Sequence, residues 1–191
     1  MPDKPDRRLQ ILQALAEMLE KPQPEKITTA ALASRLHVSE AALYRHFASK
    51  AQMYDGLIEF IEHTLFGLVN KIISEGPKGT RQLDAIIKLL LGFAEKNHGL
   101  TRVLIGEVLV NENVRLQARI NQLHDRLEAT LRQALRVAAA SGEHAAEGDT
   151  SATANLLLCF VVGRWQQYAK SGFKRAPLEF WDQQRPRLLP G

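Results

Sequence analysis

Residues 27–47 read ITTAALASRLHVSEAALYRHF, and this stretch decides the fold of the N-terminal part of the chain. Small and apolar residues recur at the i, i+3 and i+4 intervals of a helical face, first around Leu32 and again around Leu43 and Phe47. Between these runs lies Ser39, whose hydroxyl can accept a hydrogen bond from a free N–H of the second helix. The pattern predicts a helix-turn-helix, which places its second helix in the major groove of DNA. The competing interpretation is a pair of ordinary surface helices.

The predicted turn contains His37 at a position where such motifs usually have glycine. One residue of the turn often adopts a left-handed backbone conformation, and histidine is among the non-glycine residues enriched there. We therefore expect a positive φ at His37.

The outward face of the second helix carries side chains that suit an approach to DNA. Small residues allow the helix to come close, and aromatic or basic residues reach phosphates and base edges. This face comprises Glu40, Ala41, Tyr44, Arg45 and His46. We expect Tyr44 and His46, together with Lys50, to fix the register of the protein on the phosphate backbone.

A third helix is predicted to begin near Lys50, because Ser49 and Gln52 match the Ser-x-x-Gln capping box. Its first turn offers free N–H groups and the positive end of the helix dipole. With the charge of Lys50 added, this helix terminus is a natural place for a DNA phosphate.

Composition excludes several classes of protein. The 191 residues are 45% hydrophobic and 24% charged, which is ordinary for a globular protein, and the net charge of +4 agrees with a polyanionic partner. A single cysteine, Cys159, rules out an internal disulfide, and the apolar run 156–162 around it predicts a buried thiol. That run is too short to span a bilayer. The first eight residues lack the apolar stretch of a secretory signal, so we expect a cytoplasmic protein.

Enzymatic motifs are missing from the sequence. The six histidines form no His-Glu-x-x-His spacing, and neither Gly-x-Ser-x-Gly nor a phosphate-binding glycine loop occurs. We expect no catalytic residues, no cofactor and no metal.

The remainder of the chain predicts an all-α fold with a small DNA-binding domain over 1–48 and a helical regulatory and dimerisation domain over 49–191. Apolar periodicity indicates helices over about 9–19, 50–75, 83–94, 100–110, 114–140 and 152–170, with a polar linker at 141–151. After residue 173 we expect irregular coil and short turns. The last helix is apolar on most sides, which predicts a homodimer interface formed with the helix over 114–140 or its neighbours.

The N-terminal motifs resemble the TetR family of bacterial regulators. The resemblance rests on Ile27-Thr28-Thr29, Val38-Ser39, the run 43–47 and the following Lys50. Segments 56–62, 89–93, 99–102 and 115–123 are similar to the nucleoid occlusion factors within that family, and the likeness covers roughly residues 7–136.

This resemblance implies a homodimer that binds palindromic sites on double-stranded DNA and is associated with the nucleoid. It implies that Thr28, with Thr29 beside it, contacts DNA together with the recognition helix. In that interpretation Ser39, Ala41 and Arg45 are the candidates for contacts to base edges.

The resemblance also implies a surface that engages the division protein FtsZ. The residues it points to are Phe60, Leu89, Gly92, Lys96 and Asn97. Core packing is the alternative role for Phe60 and Leu89. Two positions depart from the family pattern, because Leu68 stands where a basic residue is frequent and Lys96 replaces an arginine, which keeps the charge but loses the fork geometry.

A different function within the same family is a ligand-responsive transcriptional repressor. Its body would hold an apolar cavity with a few convergent polar groups for a small-molecule inducer. The residues that can line such a cavity, or equally fill a core, are Phe93, His98, Trp165, Gln166 and Tyr168.

Overall fold

The computed structural model describes residues 6–21, 27–110, 112–142 and 149–189, and within these ranges every regular element is helical. The predicted all-α class is confirmed. In chain order the helices are α1 (Arg7–Leu19), α2 (Thr29–Arg35), α3 (Glu40–Tyr44), α4 (Lys50–Glu75), α5 (Thr80–Lys96), α6 (His98–Leu104), α7 (Val114–Ala140), α8 (Thr150–Lys170) and α9 (Trp181–Leu188). A short 3₁₀ turn, Glu107–Leu109, lies between α6 and α7. Most of the predicted linker at 141–151 falls outside the described residues.

Helix α4 begins where its capping box predicted. The N–H of Gln52 donates to Ser49 Oγ at 3.2 Å, and the side chain of Gln52 accepts from the N–H of Ala48 at 2.8 Å. The N–H groups of Ala48 and Gln52 lie at the start of the helix, where they have no carbonyl acceptor within it. The capping box therefore satisfies both of them. The helix ends at Glu75, as the apolar periodicity predicted, just before Gly76-Pro77.

The predicted helix over 100–110 is wrong in its extent. Helix α6 ends at Leu104, and Gly106 then adopts φ +72°, a left-handed conformation that interrupts the helix. A Cβ at Gly106 would lie 2.6 Å from Gln117 Oε1, so the flexible side chain of Gln117 would have to move. The apolar periodicity continues through this turn, which is why the sequence did not reveal it.

The tail beyond residue 173 is not the irregular coil that was predicted. Helix α9 forms around Trp181, which is 2% exposed and donates from its indole Nε1 to Asp84 Oδ1 at 2.8 Å. The ring of Phe160 lies 5.6 Å from that indole. One buried aromatic anchor and one long-range hydrogen bond hold a polar helix that has little apolar periodicity of its own.

The chain divides into two compact units, and the division differs from the predicted domain boundary at 48/49. We call Met1–Ile61 with Asn97–Ile120 the head unit, and Glu62–Lys96 with Asn121–Gly191 the body unit. The first half of α4 and the whole of α6 therefore belong with the helix-turn-helix.

Helices α1 and α6 form the centre of the head unit. Arg102 of α6 is 2% exposed, and its guanidinium donates to the carbonyl oxygens of Leu19 at 3.1 Å and Lys21 at 3.2 Å. Glu107 pairs with the same guanidinium at 2.5 Å. Arg102 thus satisfies carbonyls at the C-terminal end of α1 and fixes α6 against it.

The body unit is centred on contacts between α5 and α8. Trp165 is fully buried and donates from Nε1 to the carbonyl of Leu90 at 3.0 Å, while the hydroxyl of Tyr168 lies 3.4 Å from the carbonyl of Glu95. Phe93 is 7% exposed. These three candidates for a ligand cavity are core residues, and the polar atoms of Trp165 and Tyr168 already have main-chain partners.

Cys159 corrects a prediction about α8. The thiol was expected to be buried, but Cys159 is exposed and Leu156 on the same helix is 55% exposed. A helix formed by an apolar segment has several faces, and the sequence alone does not indicate which of them packs against the rest of the chain. Helix α8 therefore presents an apolar face outside the core of its own unit.

Candidate nucleic-acid interface

The helix-turn-helix forms with a hydroxyl residue capping each helix, but its second helix is shorter than predicted, because α3 ends at Tyr44 and residues 45–47 follow it in a turn. Thr28 Oγ1 accepts from the N–H of Ala31 at 3.1 Å, and Ser39 Oγ accepts from the N–H of Ala42 at 3.2 Å. Between them His37 has φ +54°, which confirms the expected left-handed turn. Each capping hydroxyl still has its own proton to donate, so both remain available to DNA phosphates or base edges.

Helix α3 separates a buried side from an exposed side. Leu43 and Phe47 are each 1% exposed and attach the helix to the core of the head unit. The candidate DNA-binding residues lie on the other side. Thr28, Ser39, Glu40, Ala41, Tyr44 and Arg45 are exposed, and Thr29, His46 and Lys50 are half-buried. In α2 the small residues Ala30 and Ala31 are exposed, whereas Leu32 is buried.

A polar network connects the starts of α2 and α3 on the exposed side. Thr29 Oγ1 donates to Glu40 Oε2 at 2.5 Å, and the Tyr44 hydroxyl lies 3.4 Å from the same Thr29 oxygen. A carboxylate in the first turn of α3 is also favoured by the helix dipole. Three of the candidate residues are therefore held in a fixed mutual arrangement before any DNA arrives.

Arg8 of α1 supports the end of the recognition helix, a role that the sequence did not suggest. Its Nη1 donates to the carbonyl of His46 at 2.9 Å, and its guanidinium carbon lies 4.4 Å from the centre of the Phe47 ring. The position of Arg8 in a charged N-terminal stretch carried no signal for this contact.

Lys50 has an intramolecular partner that was also not predicted. Its Nζ lies 2.5 Å from Glu112 Oε1, and the two side chains are 20% and 19% exposed. The ammonium group is 5.5 Å from the centre of the Tyr54 ring. Burial, reinforced by the negative charge of Glu112, raises the pKa of Tyr54 to about 12. The phenol of Tyr54 is therefore neutral in the physiological range.

The candidate FtsZ residues are distributed over both units. Phe60, which is 43% exposed, and Asn97 line one groove of about 390 Å³ in the head unit. The other residues lining this groove are Leu9, Leu12, Gln13, Ala16, Glu17, Glu20, Leu57 and Leu100. The sequence of α1 carries a signal for this groove, because its apolar residues occupy more than one face of the helix. Ile11 and Leu15 are fully buried, whereas Leu9 is 42% exposed.

Leu89, Gly92 and Lys96 lie at three- and four-residue steps along α5 in the body unit. Lys96 is exposed, while Leu89 and Gly92 are half-buried. A Cβ at Gly92 would lie 3.7 Å from Leu178 Cδ1, an ordinary contact distance, so this glycine is not required by close packing within the chain. Leu68, which the resemblance marked as a departure from the family pattern, is 42% exposed.

Two family models match the chain. The model described as bacterial regulatory proteins of the tetR family matches residues 11–57, and a model for the SlmA-like C-terminal domain of tetracycline-repressor-like proteins matches residues 78–189. The second match covers more than half of the chain. No helix in the described ranges has both the length and the hydropathy needed to cross a bilayer.

Individual relatives give the same assignment. The nucleoid occlusion factor SlmA of Alteromonas mediterranea is 49% identical over 181 residues, covering 95% of this chain and 93% of the relative. That of Marinomonas sp. is 48% identical, covering 95% and 92%. Solved TetR-type regulators from Haloarcula marismortui (TM-score 0.81, 16% identity, 97% of both chains) and Thermus thermophilus (0.76, 23%, 97% and 98%) share the fold.

These relatives are regulators, and like them this chain is not an enzyme. The head motifs agree with the tetR family pattern, and the likeness to the SlmA relatives extends through both units. The chain belongs to the family of the nucleoid occlusion factor SlmA, within the TetR family of bacterial regulatory proteins.

Proposed function

We propose that this protein is a homodimeric, sequence-specific DNA-binding factor that acts in nucleoid occlusion by inhibiting assembly of the FtsZ ring over the chromosome. The observation that carries the proposal is the exposed face of α3 and its capping residues, in a chain that is 49% identical to a nucleoid occlusion factor over nearly its whole length.

On DNA, the two recognition helices of a dimer would enter successive major grooves, with half-site centres ~34 Å apart. Thr28, Tyr44, His46 and Lys50 would then contact phosphates, while Ser39 and Arg45 read base edges. Ala41 supports this arrangement because its small side chain allows α3 to approach the floor of the groove.

For the partner surface we propose the head-unit groove that contains Phe60 and Asn97. Its walls combine exposed apolar side chains with the carboxylate of Glu20, while Glu17, which also lines the groove, is paired with Arg35 at 2.5 Å. Such a groove fits an apolar segment of a partner protein that carries basic residues beside it. On α5, Leu89, Gly92 and Lys96 are the further candidate contacts to FtsZ.

The proposal is tested by sedimentation of FtsZ polymers with the purified protein. The assay is run with and without a palindromic duplex that the protein itself has selected from random DNA. We expect the specific duplex to increase the amount of protein that pellets with FtsZ, and Phe60→Glu to abolish that increase while leaving DNA binding intact.

Tight duplex binding with no FtsZ binding would contradict nucleoid occlusion. It would leave a transcriptional repressor of the TetR type and direct attention to small-molecule inducers. Release from DNA by an apolar small molecule would support that function, although three of its candidate cavity residues, Phe93, Trp165 and Tyr168, are packed into the body-unit core.

A further inference from the structure

We propose that Glu112 competes with a DNA phosphate for Lys50, so that an ion pair within the head unit limits the strength of DNA binding. This inference rests on the proposed DNA-binding function and assigns to it a regulatory residue far from the recognition helix in sequence. Glu112 acts through Lys50 and does not itself contact DNA.

The geometry of the pair supports a defined contact. Lys50 is the first residue of α4 and Glu112 precedes α7, yet Nζ and Oε1 are 2.5 Å apart. The backbone of Glu112 is held as well, because its N–H donates to the carbonyl of Leu109 at 3.0 Å. The ammonium group also lies near the ring of Tyr54, which is 2% exposed.

The partial burial of both side chains gives this pair a greater effect than an exposed one. Salt and water screen exposed charges efficiently, whereas partly buried pairs are screened much less. When the ammonium of Lys50 pairs with a phosphate instead, the carboxylate of Glu112 remains in a half-buried position without its counter-charge. Leaving a charge uncompensated in this way is unfavourable, so forming the phosphate contact is opposed by losing the internal one.

This competition has a particular signature in salt. A lysine that neutralises a phosphate releases counterions from DNA, which steepens the fall of affinity with salt. If the same step exposes Glu112, that carboxylate gathers a cation and offsets part of the release. The unmodified protein should therefore show a shallower salt dependence than a variant in which residue 112 is neutral.

The effect is also independent of base sequence. A lysine–phosphate contact positions the protein without reading bases, so Glu112 lowers binding to the selected palindrome and to unrelated duplexes alike. The pair then holds down non-specific binding of a protein whose net charge is +4. Because both kinds of duplex lose affinity alike, the ratio of specific to non-specific affinity stays the same.

A double-mutant cycle tests the inference. The unmodified protein, Glu112→Gln, Lys50→Gln and the double variant are titrated with the selected palindrome and with a scrambled duplex over a range of salt. At low salt we expect Glu112→Gln to bind both duplexes about threefold to tenfold more tightly, with a steeper salt dependence. With Lys50→Gln already present, adding Glu112→Gln should change affinity by less than about twofold.

Asp55→Asn is the matched control. Asp55 also lies in the first part of α4 and pairs with Arg119 of α7 at 2.6 Å, so its replacement removes the same charge from the same unit. Its ion pair is with Arg119 rather than Lys50, and we expect its effect on affinity to be less than about twofold. A second variant, Glu112→Asp, keeps the charge but shortens the reach, and its affinity should fall between those of the unmodified protein and Glu112→Gln.

Two results would overturn the inference. Unchanged or weaker binding by Glu112→Gln would show that the carboxylate does not compete with DNA, and an equal gain with Lys50→Gln present would show a general charge effect. Failure of the unmodified protein to select any duplex would instead contradict the proposed function, so the two failures are distinguishable. Thermal unfolding of each variant establishes that the compared proteins are folded.

Discussion

Single polar side chains in the head unit serve both the fold and the surface. Thr28 and Ser39 each satisfy a backbone N–H at the start of a helix, and each keeps a hydroxyl proton that it can donate. His37 provides the left-handed residue of the turn in place of glycine. The cost of a side chain in this conformation is of the order of 1 kcal/mol, which the caps on either side offset.

Arg45 and Lys50 are expected to differ in what they contribute to DNA binding. Arg45 is exposed, and a guanidinium can bond two atoms of a guanine at once. Arg45→Ala should weaken the selected palindrome by about tenfold or more while hardly changing a scrambled duplex, so specificity falls. Lys50→Ala should weaken both duplexes alike and flatten the salt dependence. Titrations by fluorescence anisotropy check this, and a uniform loss for Arg45→Ala would contradict its assignment as a base reader.

Tyr54 should make stability depend on pH at high pH. Folding raises its pKa from the ordinary tyrosine value of 10.0 to about 12, so the neutral phenol favours the fold. This contribution is complete below pH 10 and is lost as pH rises towards 12, amounting to about 3 kcal/mol. Between pH 9 and 12, the free energy of unfolding measured in urea should fall more for the unmodified protein than for Tyr54→Phe. Parallel declines would show that Tyr54 does not titrate differently in the folded state.

At the scale of elements, α1 and α6 approach each other closely in the head unit. A Cβ on Gly99 would overlap the carbonyl oxygen of Ala16, a main-chain atom that cannot turn aside. Arg102, one turn further along α6, then bonds the carbonyls at the end of α1. The distance between α1 and α6 is therefore fixed both by the close contact at Gly99 and by the hydrogen bonds of Arg102.

Gly99→Ala is therefore expected to destabilise the protein, and Gly67→Ala is its control. Forcing α1 and α6 apart should lower the free energy of unfolding by about 1–3 kcal/mol. Gly67 lies inside α4, where an added Cβ would meet nothing within 4 Å, so alanine there should raise stability by up to ~1 kcal/mol through helix propensity. Chemical unfolding of both variants measures the difference, and equal effects would show that the α1–α6 approach tolerates a methyl group.

For the whole molecule, α8 gives the clearest indication of assembly. Leu156 is 55% exposed and Cys159 is exposed on a helix whose other residues Val161 and Trp165 are fully buried. Apolar area of this kind is stabilised when a second copy covers it, and in a two-fold dimer each residue contributes twice.

Leu156→Asp should consequently produce monomers. We expect its dimer dissociation constant to rise by at least about 30-fold, and binding to the full palindrome to fall towards that of a half-site. Ile73→Asp replaces another exposed apolar residue of the body unit, 38% exposed on α4, and should leave the dimer intact. Analytical ultracentrifugation measures the dimer dissociation constant of both variants. An unaltered dimer for Leu156→Asp would show that the interface lies elsewhere.

Periodicity and capping in the sequence predicted the ends of α4 and α7 and the form of the helix-turn-helix, because local hydrogen bonds and helical spacing determine these features. Helix α9 was not predicted because long-range contacts of Trp181, with Asp84 and with Phe160, hold it in place. The exposed residues of α3, which are Glu40, Ala41 and Tyr44, were also predictable, since Leu43 marks the buried side of the helix.

What the sequence determined by itself is the helical class, the recognition helix and the residues on its outward face, all of which depend on neighbours within a few positions. Only the tertiary structure decided the partners of Lys50 and Arg102, the grouping of Phe60 with Asn97, and the exposure of Cys159. These features join segments distant in the chain, such as Lys50 and Glu112. Their formation depends on how whole helices pack, which no local pattern of residues encodes.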